Sequence, residues 1–383
     1  MIKPIILLII FILLFSAFTL TASEDDQETY GTGLIIYDET YPENSIAPIQ
    51  NIRNLSFQNS IDLSQTPYFP QVRSQSYSSS CVSWATTYYA YGYLQKEEMS
   101  PSFTYNMANG GSDTGSSFST TLKVLEDWGS CSYSLMPFDP ADYVHWGDEL
   151  AFRDTINQIP IKPISVAFSG QQVIDDIKYL LSDETLVCIS FDASAYTEGF
   201  SDGNYIISSE EYDTNTVNHA QTIVGYDDTI TDDGDIGAFR VVNSWGSSWG
   251  DAGFYWLTYD AFNEIILKVY HYLIPQTNYD TQTYLEIRFS VTPSRERFEI
   301  NGDIKWYAID TDHQLPNYLC IRTGDHVTLS IGETEIIGML SSCVIHKNGL
   351  RSGEADNLPI QTPFTVGNEF NFSGIEMQGC VVG

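Results

Sequence analysis

The order of secondary-structure signals along the chain constrains its fold more than any other feature. Helical patterning comes first. Cys81 to about Glu97 is apolar and aromatic nearly all round, as a buried helix is, and Ser78, Ser79 and Ser80 precede it as candidate N-caps. Ser117–Trp128 reads as a second helix, ended by Gly129 at the usual cap position. Val173, Ile174, Ile177, Leu180 and Leu181 recur at helical spacing and make a third. Strand-like segments then take over at Thr185–Phe191, His219–Tyr226, Ala238–Trp245 and Gly253–Tyr259. Helices followed by strands is the pattern of an α+β domain, here expected as two lobes across residues 58–275.

The remainder has a different texture. From 276 to 383, candidate strands at Tyr284–Val291, Ile304–Ile309, His326–Ile331, Glu335–Ile345 and Phe364–Phe372 are separated by Gly, Asn, Asp and Pro. That pattern predicts a small all-β sandwich or barrel appended to the first domain. A chain of 383 residues is longer than one core usually organises, so two domains are expected. Asp227–Gly237 reads as an acidic hairpin turn, because the spaced ligand set of a calcium loop is incomplete. No metal or cofactor is expected.

At the N-terminus, Lys3 precedes an apolar run from Ile5 to about Phe18, and small residues follow at Thr21, Ala22 and Ser23. This is the layout of a secretory signal over residues 1–22, too short to span a bilayer, so no stable membrane insertion is expected after its removal. Residues 23–57 are polar and acidic: a linker, a short pro-segment or an arm packed on the domain. A net charge of −33 excludes nucleic acid as a partner, since phosphates would be repelled. Of six cysteines, one pair among Cys320, Cys343 and Cys380 is expected, Cys188 reads as a buried thiol, and Cys131 has no evident partner.

Cys81 opens a helix, where unsatisfied N–H groups and the helix dipole favour a thiolate. A cysteine there is structural unless other groups accompany it, and here they do. His219 heads an apolar strand ending in Gly225-Tyr226, and Asn243 ends the next strand in Asn243-Ser244-Trp245-Gly246. Paired strands would bring the amide to the imidazole, fixing its tautomer, and the imidazole would act as base and then acid.

Gln75 to Cys81, with Trp84-Ala85 after it, resembles the nucleophile segment of papain-family cysteine peptidases. The His219 strand and Asn243-Ser244-Trp245-Gly246 resemble the family's histidine and asparagine segments, and Asn109-Gly110-Gly111 its Asn-Gly-Gly turn. The resemblance implies a two-lobed papain-like fold, with Cys81, His219 and Asn243 as triad and Gln75 as oxyanion donor beside the Cys81 N–H. It further implies Trp245 covering the His219–Asn243 bond, and Gly110 and Gly111 along the substrate backbone. Two departures stand out. Ser76 and Ser79 replace glycines, so Ser79 would narrow the pocket beside Cys81. Ser78 and Ala108 stand where many members have a disulfide. The stretch 23–57 is also shorter than the family's usual inhibitory pro-domain, so latency is expected to come from elsewhere.

The expected function is a secreted cysteine endopeptidase acting on protein or peptide substrates, with a β domain binding a cell-surface or protein ligand. A transglutaminase or amidase shares Cys and His, but Gln75 and the Asn-Ser-Trp-Gly run tell against it. A non-catalytic papain-fold binding module is the other alternative, and the intact Cys81, His219 and Asn243 tell against that.

Overall fold

The computed structural model describes residues 30–36 and 57–273, apart from short stretches at 167–170, 197–199, 201–202, 212–215 and 266–268, and eight further strands between 284 and 372. The expected signal segment and most of the stretch 23–57 lie outside the described residues.

The Cys81 helix runs without a break through Cys81–Ser83, Trp84–Tyr91 and Gly92–Gln95. Its middle is wound in π fashion, and the Gly92 N–H reaches back to Thr87 O. A tertiary cause is visible: Thr222 Oγ1 and Cys188 Sγ donate to Ala85 O at 3.0 and 3.4 Å. Side chains inserted against the backbone ladder widen a helix in this way. The expected N-cap is not made. Ser80 holds the cap position without a side-chain cap bond, and Ser78 Oγ donates to Ser80 Oγ at 3.1 Å instead.

Phe118–Asp127 is capped as its sequence predicts, with Ser117 and Thr120 forming a reciprocal capping box and Gly129 at φ +77 beyond its end. Gln171–Ser182 is the third expected helix. Pro101–Ala108, Glu149–Asp154 and Tyr259–Ile265 are additional helices, the first with Ser100 as N-cap and Pro101 in its first turn.

Eight strands make one sheet: β1 (Ser60–Asp62), β2 (Lys162–Val166), β3 (Val187–Phe191), β4 (Ile206–Ile207), β5 (His219–Asp232), β6 (Asp235–Val242), β7 (Phe254–Thr258) and β8 (Val269–Leu273). Their order is β2-β8-β3-β5-β6-β7-β4, with β1 also on β5, and all pairs are antiparallel except β4 with β7. β5 and β6 form the expected acidic hairpin, turning at Asp233-Gly234 with φ values of 47 and 96. The first eight residues of β5 are buried, because the Cys81 helix packs across the strand that carries His219. Each large side chain buried in this contact contributes about 1.5–3 kcal/mol. Lys178 fixes Gln171–Ser182 to the sheet. Its ammonium lies 5.1 and 4.7 Å from the Tyr226 and Tyr259 ring centroids and 2.5 Å from Asp228 Oδ1.

Beyond residue 283, the described strands form two antiparallel four-stranded sheets. Tyr318–Arg322 lies against Glu149–Asp154, with the Arg153 guanidinium 5.0 Å from the centroid of the buried Tyr318 ring. Cys81, Cys131 and Cys188 are buried free thiols. Cys320 is buried, while the side chains of Cys343 and Cys380 lie outside the described residues.

Candidate active site

The sheet register brings the distant residues together. Thr222 pairs with Val242, so β6 ends beside the start of β5 and delivers Asn243 to His219. His219 Nε2 and Asn243 Oδ1 are 2.8 Å apart. The Ser244 backbone N–H donates to the same Asn243 atom at 2.8 Å, which identifies that atom as oxygen. An oxygen acceptor requires Nε2 to carry the hydrogen, so the neutral ring keeps its lone pair on Nδ1. Nδ1 is buried and has no hydrogen-bond partner among the described residues. The Cys81 thiol borders the Ala220 amide, next along the chain from His219, and the Val82 amide of its own helix. Trp245 packs on the imidazole with ring centroids 4.9 Å apart, and Tyr89 Oη ties the Cys81 helix to Asn243 O at 3.1 Å.

Gln75 is fully buried beside this group. Its Nε2 donates to Ser78 O at 2.7 Å, its Oε1 accepts from Ser244 Oγ, and its backbone N–H donates to Ser244 O at 2.7 Å. Ser76, the next residue, takes φ 53. Glycine adopts that left-handed conformation freely, whereas serine does so at about 1–2 kcal/mol.

Gly110 and Gly111 form a left-handed turn, with φ values of 67 and 85, in which the Gly111 N–H donates to Asn109 Oδ1 at 2.8 Å. The backbone edge that pairs with residues 33–35 of the protein lies further on, at Ser116. There the Ser116 N–H donates to Gly33 O at 3.0 Å, and the Ile35 N–H donates to Ser116 O at 3.0 Å.

Those residues belong to the protein's own arm, residues 30–36, which sequence reading left unplaced. Tyr30 stacks on Trp245 at 4.9 Å and 12°. Trp245 Nε1 donates to Gly31 O at 3.0 Å, and the Gly31 N–H donates to Ser76 O at 2.9 Å. The N–H groups of Gly33 and Leu34 share Asn218 O at 3.1 and 3.0 Å. The Leu34 amide also borders the Cys81 thiol. Under this cover Cys81, His219 and Asn243 are each 0% exposed. A second missed residue is Asp113. Its Oδ1 accepts from the Ser79 N–H at 2.9 Å, Ser78 Oγ at 3.3 Å and Tyr105 Oη at 2.5 Å, and its carbonyl accepts from Ser79 Oγ at 3.1 Å. These bonds tie the serine-rich turn to the 109–116 loop, where a disulfide is missing.

Burial raises the Cys81 thiol to about 12, against the lowering pull of the Ala220, Val82, Cys81 and Leu34 amides. Burial lowers His219 to about 4, opposed by the Asn243 bond. The covered pair is therefore neutral thiol and neutral imidazole. An unfolded His219 binds protons below its ordinary value of 6.5 that the covered one refuses until about 4. His219 thus contributes stability above pH 6.5 that is lost as pH falls to 4, on the order of 3 kcal/mol. The Cys81 contribution is present below its ordinary 9.0 and is lost as pH rises toward 12. Thermal unfolding from pH 7 to 4 is expected to show a steeper loss in the native protein than in His219→Gln; equal slopes would refute the assignment.

The sequence pattern of the family described as papain family cysteine protease matches residues 57–272, more than half of the chain. The chain belongs to that family. The papain-family domain accordingly has the fold and hydrolase class of a cysteine protease. Similar solved structures include xylellain, a cysteine protease from Xylella fastidiosa, 21% identical, with a TM-score of 0.49 over 64% of this chain and 96% of that one. Digestive procathepsin L2 from Tenebrio molitor larval midgut is 16% identical, with a TM-score of 0.50 over 65% and 80% of the two chains. No match was found among curated proteins.

Proposed function

We propose that the chain is an exported cysteine endopeptidase in which Cys81 attacks the peptide carbonyl, His219 moves the proton and Asn243 orients His219. The observation that carries this reading is the His219 Nε2–Asn243 Oδ1 bond, which leaves the Nδ1 lone pair unpartnered on the residue before Ala220, whose amide borders the Cys81 thiol. Cys81 Sγ gives its proton to Nδ1 and bonds to the carbonyl carbon. The oxyanion is received by the Cys81 N–H and by Gln75 Nε2, which has a second hydrogen besides the one on Ser78 O. His219 returns the proton to the leaving amine, giving an acyl-thioester. Water, deprotonated by His219, attacks that ester and releases acid and thiol. Residues 30–36 hold the enzyme latent, since a substrate must displace them to reach Cys81.

A thiol-peptidase vinyl-sulfone probe tests the assignment. The native protein is expected to label at Cys81, Cys81→Ala not at all, and His219→Ala far more slowly. Equal labelling of native and His219→Ala would mean an ordinary thiol and would sink the mechanism.

A further inference from the structure

The arm gauges the width of the cleft beside Cys81. Alternate residues of an extended chain face the same side, so Gly31 and Gly33 both meet the serine-rich turn. A Cβ on Gly31 would lie 2.1 Å from Ser78 O; Gly33 takes φ +151, a conformation side chains rarely adopt, and a Cβ there would lie 2.1 Å from Ser79 O and 2.7 Å from Ser79 Cα. On the opposite wall, a Cβ on Gly115 would lie 2.1 Å from Gly33 O. Bare main chain therefore fills the slot between Ser79 and Gly115. Both walls are main chain, which cannot swing aside as a side-chain tip does. The Ser79 wall is also pinned, by its N–H on Asp113 Oδ1 and its hydroxyl on Asp113 O. Tyr105 and Ser78 hold the Asp113 carboxylate in turn.

We propose that this slot makes the subsite next to Cys81 selective for glycine, and that Asp113 is the positioning residue that sets the selectivity by holding Ser79 inward. The proposal rests on the peptidase reading above. A carbonyl received by the Cys81 N–H brings its own residue along the turn that leads to Cys81, and so against Ser79. A chain entering in either direction meets the same two walls. The preferred substrates are then peptides cleaved on the carboxyl side of glycine.

Four fluorogenic peptides that differ only at the residue donating the scissile carbonyl (Gly, Ala, Arg or Phe) test this on the full-length protein. Latency lowers every rate by the same closed fraction, so ratios of kcat/KM are unaffected by the arm. The glycine peptide is expected to exceed the alanine peptide by about tenfold or more, the scale of overpacking a tight site. Asp113→Ala and the milder Tyr105→Phe are expected to narrow that ratio toward one. Alanine or arginine cleaved as fast as glycine by the native protein would overturn the subsite. An unchanged ratio in both variants would overturn the role of Asp113. If none of the four is cleaved by protein that still labels at Cys81, the subsite falls and the nucleophile stands; if labelling also fails, both fall.

Discussion

Alanine at His219 is expected to lower kcat for peptide hydrolysis by about 10²–10⁴-fold, the usual contribution of a positioned general acid–base group. The geometry explains why the loss should fall on kcat. His219 is walled in by Trp245, held by Asn243 and set at the start of β5, so its removal leaves the arm-binding edge at Ser116 and Asn218 O intact. Binding is retained while the proton path is lost. Cys81 would then depend on hydroxide for its thiolate, so the residual rate should climb steadily with pH in place of levelling off. Asn243→Ala should cost less, because Nδ1 keeps its lone pair in one of the two neutral tautomers. A His219→Ala enzyme with native kcat and a native pH profile would remove His219 from the reaction. Steady-state kinetics from pH 5 to 9 read both signatures.

Much of this site was legible because its members sit at places the chain announces. Cys81 opens a long apolar helix, and His219 and Asn243 bound two apolar strands whose pairing follows from one hairpin. What was not legible depends on tertiary contacts. The π winding of the Cys81 helix needs Thr222 and Cys188 to reach Ala85 O, and neither is near it in sequence. Pro101–Ala108 carries a serine cap and a first-turn proline, yet it is buried along most of its length and so shows no amphipathic stripe. Asp113 reads as one more acidic loop residue until Ser78, Ser79 and Tyr105 converge on it. The arm is too short to show a hydrophobic period, and backbone hydrogen bonds, one stacked ring and Leu34 packed on the core hold it. Its signal was the spacing Gly31-x-Gly33, which leaves one face of an extended strand without side chains. The latency proposed for residues 30–36 would thus lie within the stretch 23–57, where none was expected.

Valine at Gly33 is expected to speed probe labelling of Cys81 by roughly five- to 150-fold. Gly33 takes φ +151, which residues with side chains rarely adopt, and a branched side chain there must also displace Ser79 O, the atom 2.1 Å from the position of its Cβ. Overpacking against a fixed wall costs about 1–3 kcal/mol, and that cost weighs on the closed arrangement alone. Converted at 1.4 kcal/mol per tenfold, it raises the open fraction, and hence the labelling rate, by the stated factor. Thr32→Val is the control, because position 32 alternates onto the opposite face from Gly31 and Gly33; it should label like the native protein. Tyr30 stacked on Trp245 provides a second readout, since unseating the arm separates the rings and shifts tryptophan emission. In Gly33→Val the shift and the faster labelling should appear together. Native labelling together with shifted emission would mean that the arm packs on Trp245 without guarding the thiol.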